Sequence, residues 1–113
     1  MKDILIAIDV DGTLRNNTVE DVVANEEIRT LLIILSKFKN VKILVWSGGG
    51  ELYARQVCSS LGIAKYVDRY AAKWLSEDDS VGVRQHPDIK PDIAIDDIHE
   101  CELGAINLIV KQK

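Results

Sequence analysis

Two segments, DILIAIDV at residues 3–10 and VKILVW at residues 41–46, are built on runs, residues 4–8 and 43–46, that are apolar without alternation. A strand with one wet face alternates apolar and polar side chains, so continuous runs this short predict strands buried on both faces, as in the centre of a parallel sheet. Both runs end in residues foreign to an apolar core: Asp9, Asp11, Gly12 and Thr13 at the close of the first, Ser47, Gly48, Gly49 and Gly50 after the second. A third run, Ile93 to Ile95, ends the same way in Asp96 and Asp97. Parallel strands need crossover connections, so strands should alternate with helices along the chain.

The intervening residues fit that expectation. Thr18 suits the cap of a helix from about Val19 to Lys39, with Ile28, Leu31, Leu32, Leu35 and Phe38 along one face. A second amphipathic helix follows Gly50, its apolar face made by Leu52, Tyr53, Val57, Cys58 and Leu61, and Gly62 suits its left-handed C-terminal cap. Tyr66 to Ala71 reads as a third strand. From Trp74 to Asp92 the pattern fails: Glu77, Asp78, Asp79, Pro87 and Pro91 mark loops, with one hairpin around Val81 and Val83. After Asp97 a short helix should end at Gly104, and Ala105 to Val110 forms the last strand. Right-handed crossovers then place helices on both faces of a doubly wound sheet, a three-layer Rossmann-like α/β fold. The 113 residues suit one domain over residues 1–113.

Charge and composition exclude several functions. A net charge of -4 and a pI near 5.1 argue against binding nucleic acid through bulk electrostatics. The longest apolar stretches, Ile4 to Ile8 and Leu31 to Leu35, are too short to span a bilayer, and the first residues lack a signal-peptide pattern, so a cytoplasmic protein is expected. Cys58 and Cys101 stand alone, with no spacing that suggests a disulfide framework or a zinc site.

Ligand sites in such sheets lie beyond the carboxyl ends of the strands. Asp9, Asp11, Ser47, Lys73, Asp96 and Asp97 should therefore gather at one edge, although Lys90 also precedes the acidic pair. Carboxylates so close repel one another unless a divalent cation neutralises them, and oxygen ligands without His or Cys favour Mg²⁺. Ser47 and the N–H groups around Gly48 and Gly49, just before a helix, could hold phosphate oxygens, with the Lys73 ammonium adding charge. The same serine and glycines could instead form a plain turn.

The segment DVDGT at residues 9–13 resembles the first motif, DxDx[TV], of the haloacid dehalogenase-like (HAD) phosphohydrolase superfamily. Ser47, Lys73 and the Asp96-Asp97 pair are similar to that superfamily's second, third and fourth motifs, in order and over almost the whole chain. The resemblance implies a Mg²⁺-dependent phosphatase in which Asp9 is the nucleophile and forms an aspartyl-phosphate. Asp11 would be the acid and base and would offer the metal its backbone carbonyl. Asp96 would be the principal carboxylate ligand beside Asp9, with Asp97 either a further ligand or a residue just behind it. Residues 12–17 would form a turn and flap over the nucleophile.

Superfamily members select substrates largely through inserted cap domains, and neither interval that could hold one is long enough here. An open, capless site suits a phosphorylated polymer or protein, or a small phosphorylated metabolite enclosed by a neighbouring subunit of a homo-oligomer. Trp46, Trp74 and Tyr53 near the site edge could stack on a base or sugar. The rival expectation is a phospho-binding module without turnover, either receiver-like or a degenerate HAD domain. Receivers usually carry their phosphoacceptor on a middle strand, which here ends in Ser47.

Overall fold

The computed structural model describes residues 2–16, 23–76, 83–85, 89–98 and 103–111. Its elements in chain order are β1 (Ile4–Asp9), α1 (Glu26–Leu35), β2 (Val41–Ser47), α2 (Glu51–Ser60), β3 (Arg69–Ala72), β4 (Trp74–Ser76), β5 (Val83–Gln85), β6 (Ile93–Asp96) and β7 (Ile106–Ile109). Five strands form one parallel sheet in the order β3-β2-β1-β6-β7, while β4 and β5 pair antiparallel by themselves. The fold is thus the expected Rossmann-like α/β arrangement.

Alternation of side chains across the pleat divides the core in two. Ile6 and Ile8 of β1, Ile43 and Val45 of β2 and Ile95 of β6 meet Leu32 of α1 and Ala54, Val57 and Cys58 of α2 on one face. Ala7, Leu44, Trp46, Ala71 and Ala94 point to the other, where Trp74, Ile89 and Leu103 cover them. This division follows from the winding. The chain steps outward from β1 to β2 to β3, with α1 and α2 on one face, then returns to place β6 on the far side of β1. Trp74 and Ile89 of that return and Leu103 of the β6–β7 link pack on the face opposite the two helices, as right-handed connections running the other way require. The helix expected to end at Gly104 falls mainly on residues 99–102, outside the described residues.

Boundaries differ from the sequence expectation where tertiary pairing competes with helix periodicity. The first helix begins at Glu26, not Val19, and Thr18 lies outside the described residues. Val23 accepts a bond from the Asn16 N–H at 2.8 Å, and Ala24 bridges Arg15 antiparallel. Asn25 then donates to the Leu14 carbonyl at 2.8 Å, so the backbone before the helix is already partnered and extended. Glu26 and Glu27 in the first turn favour a start there through the helix dipole. The helix also ends early, at Leu35, and Phe38 is exposed in the turn that follows.

The third strand starts at Arg69, because Ala64–Tyr66 forms a 3-10 turn. Of the hairpin expected around Val81 and Val83, Val83 lies in β5, which pairs antiparallel with β4, while Val81 and the rest of residues 77–82 lie outside the described residues. Among the described residues, the stretch between β1 and β2 holds the Asp11–Arg15 and Arg15–Ala24 bridges and α1, and no cap domain is present. No helix among them is long and apolar enough to cross a membrane. Cys58 is buried and unpaired in the core, whereas Cys101 is outside the described residues.

Candidate active site

The winding reverses between β1 and β6, and the carboxyl ends of strands at such a switch point are the place where open α/β sheets bind ligands. Register brings the relevant residues level. Ile8 pairs with Ile95, so Asp9 and Asp96 are one step further along adjacent strands; Ser47 pairs with Ala72, one residue before Lys73. Asp9, Thr13, Ser47, Lys73 and Asp96 are all buried.

Each strand end turns by a local device. After β1, Gly12 takes a positive φ of 79°. The Thr13 N–H then donates to the Val10 carbonyl at 3.2 Å and the Leu14 N–H to the Asp9 carbonyl at 3.3 Å, which curls the chain back over its own strand. The Thr13 hydroxyl donates to Asp9 Oδ2 at 3.3 Å. After β2, the Gly49 N–H donates to Ser47 Oγ at 2.9 Å and the Gly50 N–H to the Ser47 carbonyl at 3.1 Å, before α2 begins at Glu51. The Lys73 N–H also donates to the Ser47 carbonyl, at 2.9 Å, which ties the end of β3 to the end of β2.

Lys73 is the centre of the charge distribution. Its Nζ lies 2.6 Å from Asp9 Oδ1 and 2.7 Å from Asp96 Oδ2. Carboxylate oxygens of Asp9, Asp96 and Asp97 all lie within 4.8 Å of one another. When all three are ionised, three carboxylates against one ammonium leave two negative charges uncompensated, with Asp9 and Asp96 buried and Asp97 partly so. Burial, reinforced by Asp96 and Asp97 and opposed by Lys73, pushes the Asp9 carboxyl up to about 7. Burial followed by the neighbouring Asp96 raises Asp97 as well. For Lys73, burial favours the neutral amine, but the two carboxylates together outweigh it and raise the ammonium above its ordinary value. This oxygen-only set with surplus negative charge fits a hard divalent cation such as Mg²⁺.

Asp11 is separate from that group. Its side chain is 48% exposed, and its Oδ1 accepts from the Tyr53 hydroxyl at 2.6 Å and from Arg15 Nη1 at 2.9 Å. The glycine loop is flanked by aromatics: a Cβ on Gly48 would lie 3.3 Å from the Trp74 ring, and one on Gly49 would lie 3.0 Å from the Tyr53 ring. Lys73, not Lys90, reaches the carboxylates; Lys90 is exposed just before the amino end of β6. Trp46 is fully buried on the second face of the sheet and offers no stacking surface. The Asp11 partnership of Tyr53 and Arg15 escaped the sequence reading. Their only sequence signals are that Arg15 is four residues after Asp11 and Tyr53 three after Gly50.

No protein-family model, no curated protein and no solved structure matches the chain.

Proposed function

We propose that this chain is a Mg²⁺-dependent phosphohydrolase of HAD type that acts on a phosphomonoester through an aspartyl-phosphate on Asp9. The observation that carries the reading is the buried Lys73 ammonium held between Asp9 and Asp96, at 2.6 and 2.7 Å, beside Ser47 at the switch point of the sheet. That arrangement combines a nucleophile, a cation and a carboxylate platform where a phosphoryl group can enter.

In this reading an Asp9 oxygen attacks phosphorus, and the bond to the leaving oxygen breaks as Asp11 gives that oxygen a proton. Water then attacks the aspartyl-phosphate and loses its proton to Asp11, releasing phosphate and restoring Asp9. The Ser47 hydroxyl and the Gly48 N–H bind phosphoryl oxygens, the Gly49 N–H is engaged in holding Ser47 Oγ, and Lys73 holds Asp9 in place while offsetting charge. Asp9, Asp96 and Asp97, with the Asp11 carbonyl, would hold Mg²⁺, which when bound neutralises the carboxylates and stabilises charge on the phosphoryl group. The open, capless site suits a phosphorylated polymer or protein, or a small metabolite enclosed by a second subunit. A cytoplasmic location belongs to the same proposal.

The test is phosphate release from a panel of phosphorylated compounds, with Mg²⁺ or with EDTA, by wild type and Asp9→Asn. Release that needs Mg²⁺ and disappears in Asp9→Asn is expected. Turnover in EDTA, or full activity of the variant, refutes the mechanism. A stable phospho-aspartate without release identifies a receiver-like module instead.

A further inference from the structure

We infer that Tyr53 and Arg15 are positioning residues for Asp11, fixing one of its oxygens so that the other faces the reacting atoms. The inference rests on the phosphatase reading above and adds to it two side chains drawn from different parts of the chain. Asp9, Asp96 and Lys73 are held by burial, but Asp11, at 48% side-chain exposure, is not enclosed enough for burial alone to hold its rotamer. Hydrogen bonds do so instead. The Tyr53 hydroxyl donates to Asp11 Oδ1 at 2.6 Å, Arg15 Nη1 donates to the same oxygen at 2.9 Å, and Arg15 Nη1 also donates to the Tyr53 hydroxyl at 3.2 Å.

These three contacts close a ring, and a ring restrains direction where a single contact would let the carboxylate swing. Both donors meet Oδ1, and among the described residues no donor meets Oδ2, which leaves that oxygen for proton transfer. The two anchors also register Asp11 against the rest of the site. Tyr53 stands in the first turn of α2, with its ring against Gly49 of the loop assigned to phosphate. Arg15 belongs to the segment that bridges Ala24 and has a side chain only 13% exposed. Asp11 is thus aligned with the phosphate loop through one anchor and with the turn after β1 through the other. Small misplacements of a proton-transfer group are costly to rate, because the reacting atoms must be close and aligned when the bond breaks.

Tyr53→Phe removes one oxygen and nothing else, so it tests the role without disturbing the helix. Steady-state release of phosphate from phenyl phosphate with Mg²⁺ should show kcat lowered about tenfold, the worth of one hydrogen bond to a charged group, with KM within about twofold. Asp11→Asn lowers kcat further, and adding Tyr53→Phe to it should change the rate by less than about twofold, because Tyr53 acts only through Asp11. Arg15→Lys, which keeps charge but cannot donate in the same fork, should fall between wild type and Arg15→Ala. An equal loss from Tyr53→Phe with Asp11 or with Asn at that position, or a loss confined to KM, overturns the positioning role alone. So does an unchanged rate in Tyr53→Phe. No Asp9-dependent turnover in wild type overturns the phosphatase reading itself, and this inference with it.

Discussion

Replacing Lys73 by Met keeps the length and removes the charge, so it isolates what the ammonium contributes to the folded state. The lysine side chain is 3% exposed, and its two partners are 6% and 3% exposed, so little solvent can take over its role. Removing one partner of a buried ion pair costs about 3 to 5 kcal/mol, because the other charge is left uncompensated. Here two carboxylates lose their shared cation and Asp97 adds a third negative charge nearby.

Asp9 can relieve that loss by taking up a proton, which makes the cost depend on pH. Its folded carboxyl is raised to about 7 from an ordinary 3.8. A raised carboxyl means that the folded state holds the proton more tightly than the unfolded chain. In the wild type, the penalty for ionising Asp9 in the folded state is therefore absent below the ordinary value, grows as pH rises towards 7 and is complete above it. At about 1.4 kcal/mol for each tenfold change in proton affinity, its ceiling is about 4 kcal/mol. In Lys73→Met the carboxyl rises further. In EDTA, circular dichroism melts should show the variant about 10 to 20 °C below wild type at pH 8, with a clearly smaller gap at pH 5. A gap under about 3 °C at pH 8, or the same gap at both pH values, refutes the charge argument.

Two other changes test the scaffold around the site. Gly50 has a φ of 102° with open space where a Cβ would go, so Gly50→Ala should destabilise through backbone strain alone, by about 1 to 2 kcal/mol in urea unfolding. Asp92 accepts the Leu5 N–H at 2.8 Å and returns its own N–H to the Leu5 carbonyl at 2.9 Å, so Asp92→Ala should cost about 1 to 3 kcal/mol and speed hydrogen exchange at Leu5.

Much of the architecture was visible in the chain itself. The unbroken apolar runs before Asp9, Ser47 and Asp96 mark strands β1, β2 and β6 closely, because a strand buried on both faces has no polar position to blur its pattern. Boundaries that depended on partners were less legible. Residues 23 and 24 carry helix-compatible side chains but pair with residues 15 and 16, a contact that local periodicity cannot register. Asp68 fell inside the expected third strand and Asp92 at the end of the loop region, and neither position signalled a partner. Each instead accepts the N–H of Ile43 or Leu5 on the adjacent parallel strand.

The site divides in the same way. Residue order along the chain sufficed to bring Asp9, Ser47, Lys73 and Asp96 to one edge, since parallel strands joined by crossovers must present their carboxyl ends together. Which lysine enters, which acid stands apart and which side chains grip it were decided by three-dimensional neighbours. Lys73 rather than Lys90 bridges Asp9 and Asp96 because it follows the carboxyl end of β3, while Lys90 precedes the amino end of β6. Asp11, only two residues from Asp9, is held by Tyr53 of α2 and Arg15 of the turn after β1, outside the cluster of the other carboxylates. Local pattern encodes burial, and burial selects strands and their ends. Side-chain contacts across 38 or 42 residues of sequence exist only once the sheet has closed, and they set the direction in which each acid points.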